Sequence, residues 1–516
     1  MTPSSRMMIG AVFFFSATCV SGQTVGLPSP VGGIVNGVTG GVGGAIGSVG
    51  GGSLGGGSLG GGSLSGGGGG GIIGGATNTV GNLADQLVLS GTSPLGPLGT
   101  STLGSSTLGS RSVITYRRRT LRDIENLVIP DLSALATDRW VQSLPPESLA
   151  LIRQARLQEL VRLNANRLEM DGAGNPANRY RLVAINPTPA MLARAKKAGF
   201  RQLADEQVVE LGLRLVTMET PRSSKLGVAK VQLQKAVPSM TVEFDHIYEP
   251  AGGALSPVTT VALAASAMIG DGQTIGMIDG GVGAAPALDN ASIEQKGFAG
   301  VAEPTGHGTA VASLMVGSHG KFTGAARGAN LMVGDIYGGD PASGSARAIV
   351  NALGWLATKR PSVINISVVG PRNLMVERAV AAIQRKGIKV VAAVGNDGPA
   401  APLLFPANQA GVIAVTGVDS TRRAIPEAGR SLKLDYAAPG ADMSAALPGG
   451  GYTDVRGTSY AAPLVAARLA TSGSTASLDR EAGKGFGRIG RGIVCMNCAV
   501  VMTKIKNKKD SNIRMK

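Results

Sequence analysis

Apolar positions along the second half of the chain fall into two alternating patterns. From about Ser256 onward, uninterrupted apolar runs alternate with alanine-rich runs of helical spacing. Uninterrupted runs are typical of parallel strands buried on both faces, and helices between such strands make right-handed crossovers. The pattern predicts a doubly wound, mostly parallel α/β domain over residues 256–475. Its strands and helices are predicted at Thr274 to Ile278, Ala310 to Val316, Asn330 to Ile336, Ala346 to Leu356, Val363 to Ile366, Leu374 to Gln384, Ile388 to Val394 and Gly411 to Val415.

A second, smaller folded region is predicted over residues 117–255. Between Leu149 and Leu168, leucine and isoleucine recur at spacings near three and four, which predicts an amphipathic helix that starts at Pro145 and Pro146. The segments after it indicate a small α+β unit. They are a strand from Tyr180 to Ile185, a helix from Pro189 to Ala198, an apolar segment from Leu211 to Met218, and strands from Ala229 to Leu233 and from Thr241 to Tyr248.

Residues 23–116 form a low-complexity stretch of glycine, serine and leucine. Between Thr24 and Ser110 the sequence contains a single charged residue, Asp85, and Ser-Leu-Gly-Gly-Gly units recur. Glycine loses the most backbone entropy on ordering, and isolated leucines bury too little area to offset that loss. We therefore expect a disordered spacer. A glycine-rich structural or cell-surface protein would need the repeat to dominate the chain, which it does not.

Residues 1–22 have the order of features found in a secretory signal peptide. Arg6 precedes an apolar run from Met7 to Val20, and the small residues Ser21 and Gly22 follow. The run is too short to span a bilayer, and no later segment offers about 20 uninterrupted apolar residues, so we expect no stable membrane span. The sequence thus predicts a secreted, periplasmic or cell-surface protein. An uncleaved membrane anchor is the alternative.

The charge and the cysteine content of the chain limit the classes of binding partner and of site that we expect. The formal net charge is +16, and aromatic residues make up 3% of the chain. Basic residues are scattered among acidic ones and no nucleic-acid-binding module appears, so we expect solvated surface charge and no nucleic-acid partner. Cys19 lies in the predicted signal, while Cys495 and Cys498 have neither further metal ligands nor a redox strand-helix-strand context. We interpret that pair as incidental and expect no disulfide framework.

Three glycine-bracketed segments carry an acid, an imidazole and a hydroxyl. Asp279 follows a predicted strand, His307 lies between two glycines, and Ser459 precedes a predicted helix from Tyr460 to Leu469. Taken singly, these are common as a turn aspartate, a structural histidine and a helix-capping serine. Their chain order, acid first and hydroxyl last, indicates a serine hydrolase whose fold brings the groups together. The chain has three histidines, so a zinc site built on several histidines is not expected.

Each of these groups has a distinct predicted role. Ser459 is the candidate nucleophile, His307 the general base, and Asp279 the carboxylate that orients the imidazole. The N–H of Ser459 at the start of a helix and the side-chain amide of Asn396 are the candidate oxyanion donors. Asn396 also suits a turn, and the two roles are compatible. Pro463 suits the first turn of the helix, where its missing N–H costs little.

Residues 270 to about 470 resemble the subtilisin-like serine protease (subtilase) family. The segments that carry the resemblance are Ile278-Asp279-Gly280-Gly281-Val282, Gly306-His307-Gly308-Thr309-Ala310-Val311-Ala312, Val363-Ile364-Asn365-Ile366-Ser367, Gly395-Asn396, Ala437-Ala438-Pro439-Gly440 and Gly457-Thr458-Ser459-Tyr460-Ala461-Ala462-Pro463. The sequence departs from the family at Gly280, where the family usually has Ser or Thr; this loosens the hydrogen bonding near Asp279. Residues 476–516 also depart, as an atypical basic tail in place of the family's closing helix and strands.

The resemblance implies further features of the site. Ser367, Val368, Val369 and Gly370 would form an edge segment that pairs with extended substrate backbone, by β-augmentation. Residues 180–250 resemble, more loosely, the family's propeptide, an intramolecular inhibitor and folding chaperone whose tail enters the active site. A self-processing cut would then fall between Tyr248 and Pro257. Family members often bind structural calcium, but no acidic cluster with clear ligand spacing supports it here.

We therefore predict a secreted serine endopeptidase that acts on polypeptides, is made as a self-processed precursor and needs no cofactor for catalysis. An esterase would more naturally show Gly-x-Ser-x-Gly with its acid after the serine, and the chain shows neither. A catalytically impaired surface or scaffold protein that retains the protease fold is the second alternative, because of the spacer and the unusual carboxyl terminus.

Overall fold

A computed structural model describes residues 145–251, 253–258, 270–496 and 498. The predicted signal peptide (1–22), the glycine-rich spacer (23–116), the first part of the predicted helical segment (117–144) and the last residues of the predicted tail lie outside the described residues. The predictions for those segments stay predictions.

The first described elements build an antiparallel sheet with helices. They are α1 (Pro146–Leu163), β1 (Leu168–Met170), β2 (Pro176–Ile185), α2 (Pro189–Lys197), β3 (Arg201–Val208), β4 (Leu213–Glu219), α3 (Leu226–Ala236) and β5 (Val242–His246). Strands run in the order β1, β2, β4, β3, and β5 also pairs with β2. Along β2 the side chains alternate between two cores, because Leu182 and Ala184 pack with α2 and α3 while Val183 and Ile185 face the second part of the chain.

One prediction for this region was wrong, and one strand was not predicted. Residues 229–233 were predicted as a strand but lie within α3, where Leu226, Ala229 and Leu233 are buried at spacings of three and four. That spacing places all three on one helical face, against the sheet. Strand β3 was not predicted, since it is an edge strand whose residues are mostly exposed and polar, without an apolar run.

The second part of the chain holds a seven-stranded sheet. Its elements are β6 (Glu249–Pro250), β7 (Gly253–Val258), β8 (Thr274–Asp279), β9 (Ile293–Gly297), α4 (Gly306–Val316), β10 (Ser318–His319), β11 (Phe322–Thr323), β12 (Asn330–Asp335), α5 (Ala346–Lys359), β13 (Val363–Ile366), β14 (Val368–Val369), α6 (Leu374–Arg385), β15 (Lys389–Ala393), β16 (Ile413–Val418), β17 (Tyr436–Pro439), β18 (Met443–Ala446), β19 (Tyr452–Arg456), α7 (Thr458–Ser472) and α8 (Thr475–Ala482). The sheet order is β17, β16, β15, β13, β8, β12, β9.

Every neighbouring pair in this sheet is parallel, which confirms the predicted doubly wound α/β fold. Helices α4 and α7 contribute to the core on one face, and α5 and α6 to the core on the other. Since parallel strands all end at the same edge, side chains that follow β8 and β15 lie together there.

Within the region predicted as an atypical basic tail, the described residues 492–494 pack on the large sheet. Ala437 N in the edge strand β17 donates to the carbonyl oxygen of Gly492 at 2.9 Å, and Val494 N donates to the carbonyl oxygen of Ala437 at 2.8 Å. Val494 is fully buried. A disulfide joins Cys495 to Cys498, so the interpretation of that pair as incidental was wrong. Their Cα atoms lie 4.9 Å apart, which suits such a bond, and a turn that closes on the packed segment brings them there.

The small antiparallel sheet lies on α5 and α6. The buried carboxylate of Asp245 accepts a hydrogen bond from Arg347 N in the first turn of α5, at 2.9 Å. Asn373, which caps α6, donates to the carbonyl oxygen of Phe244, also at 2.9 Å. A carboxylate at the amino terminus of a helix interacts favourably with the helix dipole. These contacts hold the end of β5, and therefore the chain that follows it, next to the large sheet.

Candidate active site

Asp279, His307 and Ser459 meet at the carboxyl-terminal edge of the large sheet. His307 Nδ1 lies 2.8 Å from Asp279 Oδ1, and His307 Nε2 lies 2.9 Å from Ser459 Oγ. Asp279 and Ser459 are fully buried, whereas the His307 side chain is 12% exposed. The imidazole therefore bridges a buried carboxylate and a hydroxyl, which is the geometry of an activated serine.

Local structure places each of the three groups. Asp279 is the last residue of β8, and His307 is the second residue of α4, whose cap Thr305 accepts a hydrogen bond from Gly308 N. Ser459 is the second residue of α7. Strand ends and helix starts are rigid, so the three side chains are held from three separate elements.

Pro463 lies inside α7, beyond the first turn in which it was predicted. Its missing N–H would otherwise bond to the carbonyl oxygen of Ser459, four residues earlier. That oxygen accepts a hydrogen bond from the hydroxyl of Ser367 at 2.9 Å instead. The proline thus leaves one carbonyl free for a contact that ties the start of α7 to the segment after β13.

Steric packing explains the glycine at position 280. A Cβ atom built there would lie 2.3 Å from Thr305 Oγ1, so the threonine side chain fills the space that a larger residue at 280 would need. Gly280 N donates to Asp279 Oδ1 at 2.7 Å. Asp279 Oδ2 is buried without a hydrogen-bond partner among the described residues.

Asn396 and Ser459 both donate to one carbonyl oxygen, that of Ala251. Ser459 N lies 2.9 Å from this oxygen, and Asn396 Nδ2 donates to it as well. Asn396 is held by its own side-chain oxygen, which accepts from Thr458 N at 2.9 Å. Two donors that converge on a carbonyl oxygen beside a serine hydroxyl form an oxyanion site.

The predicted edge segment binds part of the chain itself. Val368 and Val369 in β14 pair antiparallel with β6, Glu249–Pro250, and Ala251 N donates to the carbonyl oxygen of Ser367 at 2.9 Å. Gly370 differs from the prediction, because its N–H and carbonyl pair with Phe405 and not with the bound strand. Backbone pairing of Ser367 to Val369 with an extended segment is thus the binding mode that the geometry provides.

Tyr248 fills a pocket three residues before Ala251. Its hydroxyl donates to the carbonyl oxygen of Pro371 at 2.8 Å, and its N–H donates to that of Gly344 at 2.7 Å. A Cβ atom at Gly370 would lie 2.6 to 2.8 Å from the Tyr248 ring. Gly370 therefore serves the site through its missing side chain, which leaves room for an aromatic ring.

The Tyr460 ring packs against the imidazole of His307. Tyr460, the residue after Ser459, is fully buried, and its ring centroid lies 5.2 Å from that of His307. Burial, with a smaller contribution from the charge of Asp279, raises the pKa of Tyr460 well above its ordinary value. The phenol therefore stays neutral in the ordinary pH range. Within the part of the chain that the structure describes, no group of three or more His, Cys, Asp or Glu side chains is placed to hold a metal ion.

Sequence reasoning missed several supporting residues. Thr305 and Thr458 orient the acid-imidazole pair and the oxyanion amide, and a threonine before a glycine-bracketed motif at a helix start was a signal for the first of them. Tyr337 was also missed; its hydroxyl donates to the carbonyl oxygen of Tyr248 at 3.1 Å. No local pattern identified it, since the contact joins residues that are remote in the sequence.

Comparison with known proteins gives a consistent result. The family model described as "Subtilase family" matches residues 270–477. The chain is 31% identical over 200 residues to the major intracellular serine protease of Bacillus subtilis (strain 168), an alignment that covers 36% of this chain and 63% of that protein, just under two thirds of its length. It is 30% identical over 208 residues to subtilisin Savinase of Lederbergia lenta, covering 39% of this chain and 77% of the relative.

Among solved structures, fervidolysin of Fervidobacterium pennivorans, a keratinolytic enzyme related to subtilisin, is similar in fold. It superposes with a TM-score of 0.53 at 19% identity, covering 63% of this chain and 61% of fervidolysin. At that identity the likeness supports the fold alone. None of the helices in the described part of the chain combines the length and the hydrophobicity that a membrane-spanning helix requires.

Proposed function

The chain belongs to the subtilase family, and from that premise we propose that it is a secreted serine endopeptidase, made as a precursor that cuts itself after Ala251. Asp279, His307 and Ser459 form its catalytic triad, and Asn396 with the N–H of Ser459 forms its oxyanion hole. Polypeptides are its substrates. The mechanism uses no metal or organic cofactor.

One observation carries the self-cleavage proposal. The carbonyl oxygen of Ala251 accepts hydrogen bonds from Ser459 N and Asn396 Nδ2. Ser459 Oγ is at the same time hydrogen-bonded to the imidazole of His307. A peptide carbonyl held by both oxyanion donors beside the nucleophile occupies the position of a scissile bond. The bond that follows Ala251, to Gly252, lies within the predicted interval from Tyr248 to Pro257.

Cleavage would proceed by acyl transfer. Ser459 Oγ attacks the carbonyl carbon of Ala251 as its proton moves to His307 Nε2, and the tetrahedral oxyanion is held by the two donors. The bond to the nitrogen of Gly252 then breaks as His307 returns the proton to that nitrogen. Water then attacks the acyl carbon as its proton moves to His307 Nε2, the ester bond to Ser459 Oγ breaks, and His307 returns the proton to Oγ, which frees the Ala251 carboxylate. Asp279 keeps the proton on His307 Nδ1 and stabilises the imidazolium.

The small antiparallel sheet would remain as an inhibitor after the cut. Its tail, from Tyr248 to Ala251, occupies the edge segment and the oxyanion donors that a substrate needs. The sheet also contacts the starts of α5 and α6 through Asp245 and Phe244. An inhibitor held on two surfaces leaves slowly, so activity would follow its release or degradation.

The decisive experiment follows the full-length chain in a secreting host. Mass spectrometry of the product is expected to give a mature amino terminus at Gly252 and labelling of Ser459 by a fluorophosphonate probe. The Ser459→Ala chain is expected to stay uncut, with an amino terminus at Gln23 if the predicted signal is removed. Ser420→Ala is the matched control, because Ser420 is exposed and far from the triad in sequence.

The results separate the alternatives. Cleavage of casein by the matured protein, unchanged by a chelator and absent in Ser459→Ala, supports the endopeptidase. An uncut wild-type chain without probe labelling supports the impaired scaffold protein. Equal processing of the wild-type and Ser459→Ala chains rules out self-cleavage and assigns the cut to another protease.

A further inference from the structure

Helix α1 lies against the active-site cleft although it belongs to neither sheet. Leu149, in the first turn of the helix, is buried against Gly398. A Cβ atom built on Gly398 would lie only 3.0 Å from Leu149 Cβ. Gly398 follows the oxyanion residue Asn396 by two positions. The helix therefore reaches the loop that carries one of the two oxyanion donors.

Four charged side chains meet between α1 and this loop. Arg156 donates through Nε and Nη2 to the two carboxylate oxygens of Glu249, at 3.1 and 3.2 Å, and through Nη2 to Asp397 Oδ1 at 3.1 Å. Arg153 Nε lies 3.0 Å from Asp397 Oδ2, as an ion pair without the angle of a hydrogen bond. All four side chains are between 6% and 15% exposed, so water screens the cluster weakly.

One of the two carboxylates belongs to the segment that would be cut, and the other belongs to the loop that would hold the carbonyl oxygen of that segment. Glu249 is two residues before Ala251 in the bound tail, and Asp397 directly follows Asn396. One guanidinium thus ties the segment to be cut to the loop that donates to its carbonyl oxygen. Burial lowers the pKa of Arg156, but the charges of Glu249 and Asp397 and their hydrogen bonds outweigh it, so the pKa lies above its ordinary value. The guanidinium stays charged at every working pH.

We propose that Arg156 is a positioning residue for self-cleavage: from α1 it clamps Glu249 and Asp397 together, so that the Ala251 carbonyl is held on the oxyanion donors before and after the cut. This role rests on the proposed self-processing. It is confined to the precursor and to its cleaved but undissociated form, because α1 precedes the cut and leaves with the inhibitor.

Loss of the guanidinium has two physical effects. It removes the bidentate contact that fixes Glu249, and it leaves the Glu249 and Asp397 carboxylates facing each other in a poorly hydrated space. Both effects favour withdrawal of the tail. Arg153 can neutralise one of the two carboxylates but makes no contact with Glu249 in the structure.

The test compares variants of the full-length chain. Arg156→Met keeps the length of the side chain without its charge, and Arg156→Lys keeps the charge without the planar fork. The matched control is Arg162→Met in the same helix, because the Arg162 side chain is 67% exposed and pairs with Glu159 of its own helix. The first readout is the rate of the Ala251–Gly252 cut. It is measured in protein so dilute that the rate no longer depends on concentration, which makes the cut intramolecular.

We expect Arg156→Met to cut about tenfold or more slowly, Arg156→Lys to fall between Arg156→Met and wild type, and Arg162→Met to match wild type. The chain Arg156→Met/Glu249→Met should be less impaired than the two single variants predict together, since it removes the unpaired carboxylate. The matured enzyme has the same sequence in the wild type, Arg156→Met and Arg156→Lys, so its kcat/KM reports correct folding of what is released. A merely structural role for Arg156 would lower the yield of matured enzyme without changing the rate of the cut.

A second readout does not depend on catalysis. In the uncut Ser459→Ala chain, hydrogen exchange at the N–H of Ala251 reports how firmly the tail is bound to Ser367. We expect Arg156→Met to speed that exchange about tenfold, and Arg162→Met to leave it unchanged. This measurement decides for or against the clamp even if the wild-type chain fails to cut itself.

Equal cutting rates together with equal exchange in Arg156→Met and wild type would overturn the proposal. If Arg156→Met does not accumulate, Arg156→Lys decides in its place: a rate and an exchange indistinguishable from wild type reject the role of Arg156.

Discussion

The backbone nitrogen of Ser459 lies 2.9 Å from the carbonyl oxygen of Ala251, so the chain holds one of its own peptide carbonyls at the candidate oxyanion site. This hydrogen bond is shielded from solvent, because Ser459 is fully buried and Ala251 is 2% exposed. Predictions about catalysis can therefore be tested first on the chain itself, as the rate of an intramolecular cut.

Replacement of the catalytic carboxylate by its amide should nearly abolish the cut. In Asp279→Asn the amide can present an N–H to His307 Nδ1 and favours the wrong tautomer, so Nε2 no longer accepts the proton of Ser459. We expect a loss of about 10⁴-fold in the first-order rate, measured by gel or mass spectrometry. Asp289→Asn, at an exposed site, is the control and should match wild type. A loss of less than about tenfold would remove Asp279 from the triad.

The oxyanion amide should contribute to the rate and little to binding. Asn396→Ala removes the donor to Ala251 but leaves Ser459 N in place. We expect kcat to fall about 10²- to 10³-fold on a peptide substrate, with KM changed by less than about threefold. Asn290→Ala, at an exposed position, serves as the reference. A rise in KM at unchanged kcat would show that Asn396 binds the ground state and does not stabilise the oxyanion.

A methyl group at position 370 should close the pocket that holds Tyr248. In Gly370→Ala the added atom would meet the Tyr248 ring at 2.6 to 2.8 Å, which the packed backbone cannot relieve without shifting. We expect the self-cut to slow about tenfold and the double variant Gly370→Ala/Tyr248→Ala to recover most of that loss. The measurement is again the rate of the cut in full-length chains. No recovery in the double variant would place the effect of Gly370 elsewhere, for example in its pairing with Phe405.

Acid should weaken the uncut chain through Asp171. Burial raises the pKa of this carboxyl, but hydrogen bonds from His246 and Asn175 outweigh it and lower the pKa from 3.8 to about 2. A carboxyl whose pKa is lower in the folded state stabilises the fold above about pH 4, and the contribution disappears as the pH falls toward 2. It amounts to about 1 kcal/mol, less than the pKa shift alone would give, because solvent screens a partly buried carboxyl.

The measurement uses the Ser459→Ala chain, which avoids the cut. Its free energy of unfolding, minus that of Ser459→Ala/Asp171→Asn, should be constant above about pH 5 and shrink between pH 4 and 2. A difference that does not depend on pH would mean that Asp171 stabilises the fold by shape or by neutral hydrogen bonds alone.

The main sheet and the three side chains of the candidate triad could be identified from the sequence because their signals are local. Buried parallel strands such as Val363–Ile366 are continuous apolar runs, and helix α5 has its own apolar face. The chemistry of Asp279, His307 and Ser459 is marked by glycines that stand next to each residue in the chain. Where the local signal was ambiguous, as at residues 229–233, burial against a distant sheet decided for helix.

What the tertiary structure alone decided are the contacts between segments far apart in sequence. Neither Arg156 nor Asp397 carries a pattern that points to the other, yet the packing of α1 on the loop after β15 brings them within 3.1 Å. The same holds for Ala251, whose carbonyl meets Ser459 only because the small sheet is seated on α5 and α6. The spacing of residues along the chain encodes the secondary structure of each segment and the side chains that stand at the end of each strand. Which surfaces contact each other is decided only when the whole chain folds, because it depends on which apolar faces bury one another.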